Sequence, residues 1–167
     1  GWICRLYEAS KGVKVGRIED RLIELGYPLP EVVPPVAAYV PAVVTGNLVY
    51  TAGQLPMVQG KLAEVGKVPT DVSPERAKEL AQISALNALA AVKYAIGDLD
   101  RVTRVVKVTG FIASSADFTG LPVINNGASE FLGAVFGDAG IHARTTVGVA
   151  SLPLDAPVEV ELIVEFN

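Results

Sequence analysis

The sequence predicts one α+β domain in which two helices cover one face of a β-sheet and leave the other face open. The predicted elements run strand, strand, helix, strand, helix, strand, strand, so both main helices fall in the middle of the chain and can cover only one face. A length of 167 residues suits one core and is too short for two. In residues 158–166 apolar side chains take every even position, and the odd positions hold Glu159, Glu161, Ile163 and Glu165. The odd-numbered face of this last strand is therefore not helix-covered core.

The chain divides into an N-terminal extension, residues 1–35, and a single domain, residues 36–167. Residues 16–30 (GRIEDRLIELGYPLP) fit a short amphipathic helix that stops at Gly26 and Pro28. Its apolar positions are Ile18, Leu22, Ile23 and Leu25. A proline-rich connector, PLPEVVPP, leads from this helix into the domain.

Two hairpins are predicted at the start of the domain. Residues 37–56 (AAYVPAVVTGNLVYTAGQLP) contain two strand-like runs around a Gly-Asn turn, which is typical of a hairpin. Pro41 cannot donate a ladder hydrogen bond, so we expect the first strand at a sheet edge or a bulge. Residues 57–68 (MVQGKLAEVGKV) predict a smaller hairpin around Gly60.

The longest helix has clear start and stop signals. Ser73 is the predicted N-cap, Pro74 takes the first helical position, and the Ala- and Leu-rich run ends at Gly97. One broad apolar stripe is formed by Leu80, Ile83, Leu86, Leu89, Ala90 and Ile96. This stripe predicts that the helix lies against the sheet.

A second helix and three strands complete the prediction. The helix is expected to begin near Asn125–Asn126 and to end at Gly137 or Gly140. The predicted strands are RVTRVVKVTGFIAS (101–114), ARTTVGVAS (143–151) and PVEVELIVEF (157–166).

Composition narrows the function classes. The chain carries 14 Lys and Arg against 18 Asp and Glu and has no basic block, so nucleic acid is an unfavoured partner. Its single cysteine, Cys4, excludes an internal disulfide and a multi-cysteine zinc site, and no other residues have metal-ligand spacing. No apolar run approaches the ~18 residues of a membrane span, so we expect no membrane partner and a cytoplasmic location. Hydrophobic residues make up 50% of the chain, which predicts apolar surface in a subunit interface.

A lone arginine stands near the start of IHARTTVGVASLP, residues 141–153. In this strand the odd positions Thr145, Val147 and Val149 form the apolar side, and Arg144 lies on the opposite side. The alternation therefore predicts that Arg144 is on the open, acidic face with Glu159 or Glu161. An arginine is always charged and matches a carboxylate, so two interpretations remain: an ion pair to a glutamate or a neighbouring subunit, or an anchor for a small carboxylate ligand. The neighbours of Arg144 on the same side of the strand, Thr146, Gly148 and Ala150, are small and leave open space, which favours a ligand pocket beside the arginine.

Two segments resemble a known family. NLVYTAGQLP (47–56) and ARTTVGVASLPLDAPVEVELIVEF (143–166) resemble the RidA/YjgF family of reactive-intermediate deaminases, also called L-PSP endoribonucleases. The resemblance covers about Val36 to Phe166. It implies a chorismate-mutase-like domain with a mixed, largely antiparallel sheet, assembled as a homotrimer with a central barrel-like core and ligand clefts between subunits. Such an assembly would account for the open sheet face and the apolar surface.

The resemblance also implies an activity and a set of site residues. Family members hydrolyse enamines and imines of the 2-aminoacrylate type to 2-oxo acids and ammonia, without a metal or cofactor. Arg144 matches the arginine that holds the substrate carboxylate, and Glu159 matches the glutamate that positions or activates water. The other matching positions are Tyr39, which lines the cleft from another subunit, Asn126 near the second helix, with Asn125 as the alternative, and Thr146 beside the arginine.

Some positions depart from the family pattern. Ala52 replaces the usual serine, Thr146 replaces a frequent cysteine, and His142 with Ala143 replaces a Pro-Ala pair. His142 fits either a titrating cleft residue or a surface-loop histidine. The lost serine hydroxyl keeps open a second function, a non-catalytic sensor of 2-oxo acids. A ribonuclease is least favoured, because RNA cleavage without a metal needs paired acid and base groups and cations for phosphate.

Overall fold

The computed structural model describes residues 16–35 and 37–167; Val36 and residues 1–15, which include Cys4, lie outside the described residues. The order of the main elements is the predicted one, and none of the helices in the described ranges is long and apolar enough to cross a membrane. The elements are α1 (Arg17–Glu24), β1 (Ala42–Thr45), β2 (Leu48–Thr51), β3 (Met57–Val58), β4 (Lys61–Leu62), α2 (Pro74–Ile96), β5 (Val102–Ala113), α3 (Leu121–Phe136), β6 (Ala143–Val149) and β7 (Val158–Phe166). Short 3-10 turns lie at Leu99–Arg101, Gly137–Gly140 and Pro153–Asp155.

Five strands form one sheet in the order β1-β2-β7-β5-β6. All neighbouring pairs are antiparallel except β5 and β6, which run parallel, so the sheet is mixed and largely antiparallel. Pro41 directly precedes the edge strand β1, which confirms the predicted edge position, and its carbonyl accepts a hydrogen bond from the Ala52 N–H at 2.8 Å. β3 and β4 form the separate small hairpin around Gly60.

The predicted ends of α2 are confirmed. The Ser73 hydroxyl accepts a hydrogen bond from the Arg76 N–H at 3.2 Å, which satisfies one of the free donors of the first turn. Gly97 follows the last turn with φ of +85°, a left-handed conformation that costs glycine little and ends the helix.

The predicted start of α3 near Asn125–Asn126 is wrong. The helix begins at Leu121, one turn earlier, with Pro122 in its first turn, and it ends at Gly137 as predicted. The two asparagines suggested a helix cap, but their side chains bond to residues of β6 instead of to the free N–H groups of the helix. The two asparagines therefore lie in the second turn of α3.

Both long helices pack on one face of the sheet. The even-numbered residues of β7 from Val158 to Val164 are buried beneath them, as predicted. We call the opposite side the outer face; it carries the odd-numbered residues of β7 and the side chains of Val43, Tyr50 and Val147, which are 55%, 44% and 40% exposed. A single chain therefore leaves apolar side chains uncovered on this face of the sheet.

One carboxylate ties α1 to the turn before β5. The Asp100 oxygens accept hydrogen bonds from the backbone N–H groups of Arg17 and Ile18, both at 2.8 Å. These N–H groups belong to the first turn of α1, where they lack a partner in the helix and where the helix dipole favours negative charge. The buried side chains of Ile18 and Leu22 then pack α1 against the core.

Asp100→Ala should lower the free energy of unfolding by about 1–2 kcal/mol, because two N–H groups of α1 lose a charged acceptor. Urea unfolding measures the difference. Asp117→Ala is the control, since Asp117 is exposed in a turn. A loss at Asp100 no larger than the loss at Asp117 would contradict the capping role.

Candidate functional site

Arg144 reaches from the edge strand β6 across to α3. Its Nη1 donates hydrogen bonds to Asn126 Oδ1 at 2.7 Å and to Ser129 Oγ at 3.3 Å, and its Nη2 donates to the Pro122 carbonyl at 3.3 Å. All three acceptors belong to α3 and are uncharged. The half-buried guanidinium is thus oriented by the helix without being neutralised by it.

The strand register places Arg144 and Thr146 on the helix-covered face. In the parallel pairing of β5 with β6, Arg144 is opposite Val108 and Thr146 is opposite Gly110. Val108 is buried in the core, and a side chain added at Gly110 would collide with Asn125 of α3. The side of β6 that carries Arg144 therefore faces α3.

This placement corrects the prediction that Arg144 shares the open face with Glu159 or Glu161, which lie on the outer face. Parity failed because β6 is an edge strand: its apolar side turns outward, where Val147 is 40% exposed, and its polar side bonds to α3. An ion pair from Arg144 to either glutamate of its own chain is also wrong, since the structure records no carboxylate partner for Arg144 within the described residues.

The two asparagines of α3 have different partners. Asn126 bonds to Arg144, whereas Asn125 is fully buried and donates from Nδ2 to Thr146 Oγ1 at 2.7 Å. The Asn125 amide lies against Gly110, where a Cβ would stand 2.7 Å from Oδ1. Oδ1 itself has no hydrogen-bond partner within the described residues. Of the two candidates, Asn126 therefore contacts the arginine, and Asn125 contacts the predicted Thr146.

Glu159 forms a separate group on the outer face. Its Oε2 lies 2.5 Å from the position of a Cβ built on Gly53, so the missing side chain at Gly53 lets the carboxylate lie over the backbone just after β2. Burial raises the pKa of Glu159, and the nearby charge of Glu161 raises it further. Ala52, at the position of the usual serine, directly precedes Gly53.

The structure does not bring Tyr39 to Arg144 within one chain. Tyr39 is 49% exposed and lies just before β1, at the opposite edge of the sheet from β6. Within one chain the predicted site residues thus form two groups on opposite faces of the sheet, which we call half-sites. The first, the arginine half-site, holds Arg144, Asn126, Thr146 and Asn125; the second, the glutamate half-site, holds Glu159 with Ala52 and Gly53.

Ser129 is the site residue that sequence reasoning missed. Its hydroxyl accepts from Arg144 and lies 2.8 Å from His142 Nε2. The available signal was spacing, because Ser129 is three residues after Asn126 and so lies on the same side of α3.

Open space lies further along the same face of β6. A cavity of about 610 Å³ is lined by Gly148, two residues beyond Thr146 on that face, and by the start of α3 at Leu121. Its other walls include Lys67, Ser114, Ser115 and Phe118. Within the described part of the chain, no cluster of three or more His, Cys, Asp or Glu side chains could hold a metal ion.

The fold agrees with a known class of protein. The family described as YjgF/chorismate_mutase-like matches residues 19–166, and the chain belongs to this family. The resemblance to the RidA/YjgF family is thereby confirmed, together with the chorismate-mutase-like fold. The match begins inside α1 and so reaches further towards the N-terminus than Val36.

Individual relatives carry different names. The chain is similar to the crystal structure of protein Atu1372 from Agrobacterium tumefaciens, at 47% identity and a TM-score of 0.84, over 90% of this chain and 92% of that one. It is 39% identical to Protein TCP17 of Trypanosoma cruzi over 156 residues, and this matched region covers 93% of this chain and 98% of the relative. A Dermatophagoides farinae protein named 2-iminobutanoate/2-iminopropanoate deaminase is 36% identical over 130 residues, 78% of this chain and 87% of the relative.

Proposed function

We propose that this chain hydrolyses reactive imines and enamines of amino-acid origin, of the 2-aminoacrylate type, to 2-oxo acids and ammonia. The deaminase name of relatives at 31% and 36% identity supports the reaction class. The observation that carries the proposal is the charge of Arg144: three uncharged oxygens orient its guanidinium, and no carboxylate of the described residues neutralises it. Such a group is suited to hold the carboxylate of a 2-imino acid.

The reaction needs a held substrate, a water and a base. The C=N carbon is electrophilic, so the water oxygen adds to it while Glu159 takes a proton from the water and passes it to the nitrogen. The tetrahedral intermediate then forms its C=O bond as the hydroxyl proton moves to nitrogen and ammonia leaves. An enamine enters the same route after a proton shift to its terminal carbon. The raised pKa of Glu159 brings its proton affinity closer to that of a base working near neutral pH.

The two half-sites would have to come from different subunits. Arg144 and Glu159 lie on opposite faces of the sheet, so one small substrate could not touch both within one chain. We therefore place the substrate in a cleft where the outer face of one subunit meets the β6 edge of its neighbour, in a homotrimer with a barrel-like core. The exposed Val43, Tyr50 and Val147 on the outer face support such a contact. Tyr39, exposed beside β1, would line the cleft with the glutamate half-site.

A non-catalytic sensor of 2-oxo acids is the second candidate. Two observations favour it: Ala52 offers no hydroxyl beside Gly53, and the Thr146 hydroxyl is already bonded to Asn125. A sensor would use Arg144 in the same way but would release no ammonia. Binding of 2-oxobutanoate without hydrolysis of 2-iminobutanoate would select this function.

Arg144→Ala should lower kcat/KM by about 100-fold, because the substrate carboxylate loses its charged partner. The assay follows ammonia release from 2-iminopropanoate, 2-iminobutanoate and bulkier imino acids formed in situ. The bulkier imino acids test whether the cavity beyond Thr146 accepts a longer side chain. Arg144→Lys is the matched control that keeps the charge and loses the planar fork; we expect an intermediate activity. Light scattering should give both variants the same oligomeric mass as the parent. An Arg144→Ala variant with the parental kcat/KM would exclude the proposed function.

A further inference from the structure

The His142–Ser129 pair lies directly behind the Arg144 guanidinium. Ser129 Oγ accepts a hydrogen bond from Arg144 Nη1 at 3.3 Å and is 2.8 Å from His142 Nε2. His142 Nδ1 is in turn 2.6 Å from the Gly140 carbonyl oxygen. A continuous chain of hydrogen bonds thus runs from the turn after α3 through the histidine and the serine to the arginine.

When the His142 ring is neutral, the acceptor at one end determines the direction of the hydrogens in this chain. A carbonyl oxygen can only accept, so His142 Nδ1 must carry the ring proton that bonds to Gly140. In the neutral ring Nε2 is then an acceptor, and the Ser129 hydroxyl is its donor. With its hydrogen directed at His142, the Ser129 oxygen turns a lone pair towards Arg144.

We propose that His142 and Ser129 are positioning residues that hold the Arg144 guanidinium in the orientation that binds the substrate carboxylate. This inference rests on the proposed function of Arg144. Without the Nε2 acceptor, the Ser129 hydroxyl can turn its hydrogen towards the guanidinium, and two donors then face each other. Asn126 and Pro122 remain as acceptors on α3, so the arginine stays near its place but samples more orientations. A less ordered guanidinium loses more conformational entropy when it binds the substrate carboxylate, so the affinity falls.

A purely structural role for His142 makes a different prediction. In that case the important contact is the local bond to the Gly140 carbonyl, which fixes the conformation of the short connection between the turn after α3 and β6. Two substitutions separate the two roles. Asparagine keeps a donor near the position of Nδ1 and leaves nothing at the position of Nε2. Glutamine places an amide oxygen near Nε2 and loses the donor at Nδ1.

The tautomer of His142 can be read without any activity, because it is the one histidine in the chain. In 15N spectra of the intact protein, at a pH where the ring is neutral, we expect the proton on Nδ1 and an unprotonated Nε2 that accepts a hydrogen bond. A proton on Nε2 would overturn the inference, whatever the protein is found to catalyse.

Ser129→Ala and His142→Asn should each raise KM for 2-iminobutanoate about tenfold, with a smaller change in kcat. The double variant should have the same KM as either single variant, because both substitutions remove the same hydrogen bond between Ser129 and His142. His142→Gln should keep KM close to that of the parent. If His142→Asn is normal and His142→Gln is impaired, the role is structural and the inference fails.

The control for lost stability is Ser73→Ala. This substitution removes the N-cap hydrogen bond of α2, which also uses a serine hydroxyl but lies far from Arg144 in sequence. It should lower the melting temperature without changing KM. Arg144→Ala separates the two hypotheses. If it is fully active, the proposed function fails; if it is impaired while Ser129→Ala and His142→Asn keep the parental KM, only the positioning role fails. Where the protein binds without turnover, Kd for 2-oxobutanoate replaces KM.

Discussion

Glu159→Gln should lower kcat for imine hydrolysis by about 10²- to 10⁴-fold, the range that a positioned general base contributes. The amide keeps the volume that lies over Gly53, so the local packing is preserved, but it cannot take a proton from water. Ammonia release under saturating 2-iminobutanoate measures the effect. A variant with the parental kcat would exclude Glu159 as the base.

Glu161→Gln is the matched control on the same strand and the same face. It leaves the base in place and removes the like charge that helps to raise the pKa of Glu159. The pKa of Glu159 should fall, so the acidic limb of the pH–rate profile should move to lower pH while activity is kept. A loss of activity as large as that of Glu159→Gln would mean that the outer face needs its negative charge as a whole.

The same Glu159→Gln variant should be more stable than the parent at neutral pH. Because the folded pKa is raised, ionising Glu159 costs more in the folded chain than in the unfolded one, and the parent loses stability as the pH rises through the raised pKa. Glutamine does not ionise. The gain should therefore be present at pH 7 and should vanish as the pH falls below the ordinary glutamate value of about 4.3. Urea unfolding at pH 7 and near pH 4 checks the sign.

Mixing two inactive variants tests the arrangement of the half-sites between subunits. When Arg144→Ala and Glu159→Gln chains are unfolded and refolded together, a cleft between subunits receives an intact arginine and an intact glutamate in about a quarter of cases under random assembly. We expect that fraction of the parental activity. If the mixture stays inactive while the chains demonstrably exchange, both groups act from one chain.

Features with a local signal could be predicted from the sequence. The caps of α2 at Ser73 and Gly97, the alternation along β7 and the edge position implied by Pro41 all depend on neighbours within a few residues, and all agree with the structure. The orientation of β6 could not be predicted in this way. Its alternation was read correctly, but which side is covered depends on α3, whose polar side chains replace the apolar contacts that normally mark the buried face.

The site shows the same division. The resemblance identified Arg144 and Asn126, which the structure brings together, whereas strand alternation wrongly placed Arg144 on the face of Glu159, and Ser129 stayed unnoticed. Alternation failed for Arg144 because it does not show which side of the edge strand β6 is covered, and the polar contacts with α3 that cover it lie far away in sequence. Ser129 was missed because its spacing from Asn126 acquires meaning only once their shared partner on β6, Arg144, is known.

The two long helices approach each other very closely at Gly127, next to the residues of α3 that contact Arg144. Gly127 of α3 lies against the backbone of α2 at Lys78, and a Cβ at Gly127 would overlap the Lys78 carbonyl oxygen. The obstacle is backbone, so it cannot move aside as a side-chain end could. Gly127 sits between Asn126 and Ser129, two of the residues that orient Arg144.

Gly127→Ala should lower the free energy of unfolding by about 3 kcal/mol or more, because the helices must separate to admit the methyl group. The folded fraction should also bind substrate poorly, since α3 carries three acceptors of the Arg144 guanidinium. Gly133→Ala, on the same helix with no atom of the described residues within 4 Å of the added Cβ, is the control and should gain about 0.5–1 kcal/mol. Urea unfolding and KM give both readouts. Equal stabilities for the two variants would mean that the helices do not approach at Gly127, and a normal KM in a destabilised Gly127→Ala protein would separate the packing of α3 from the orientation of Arg144.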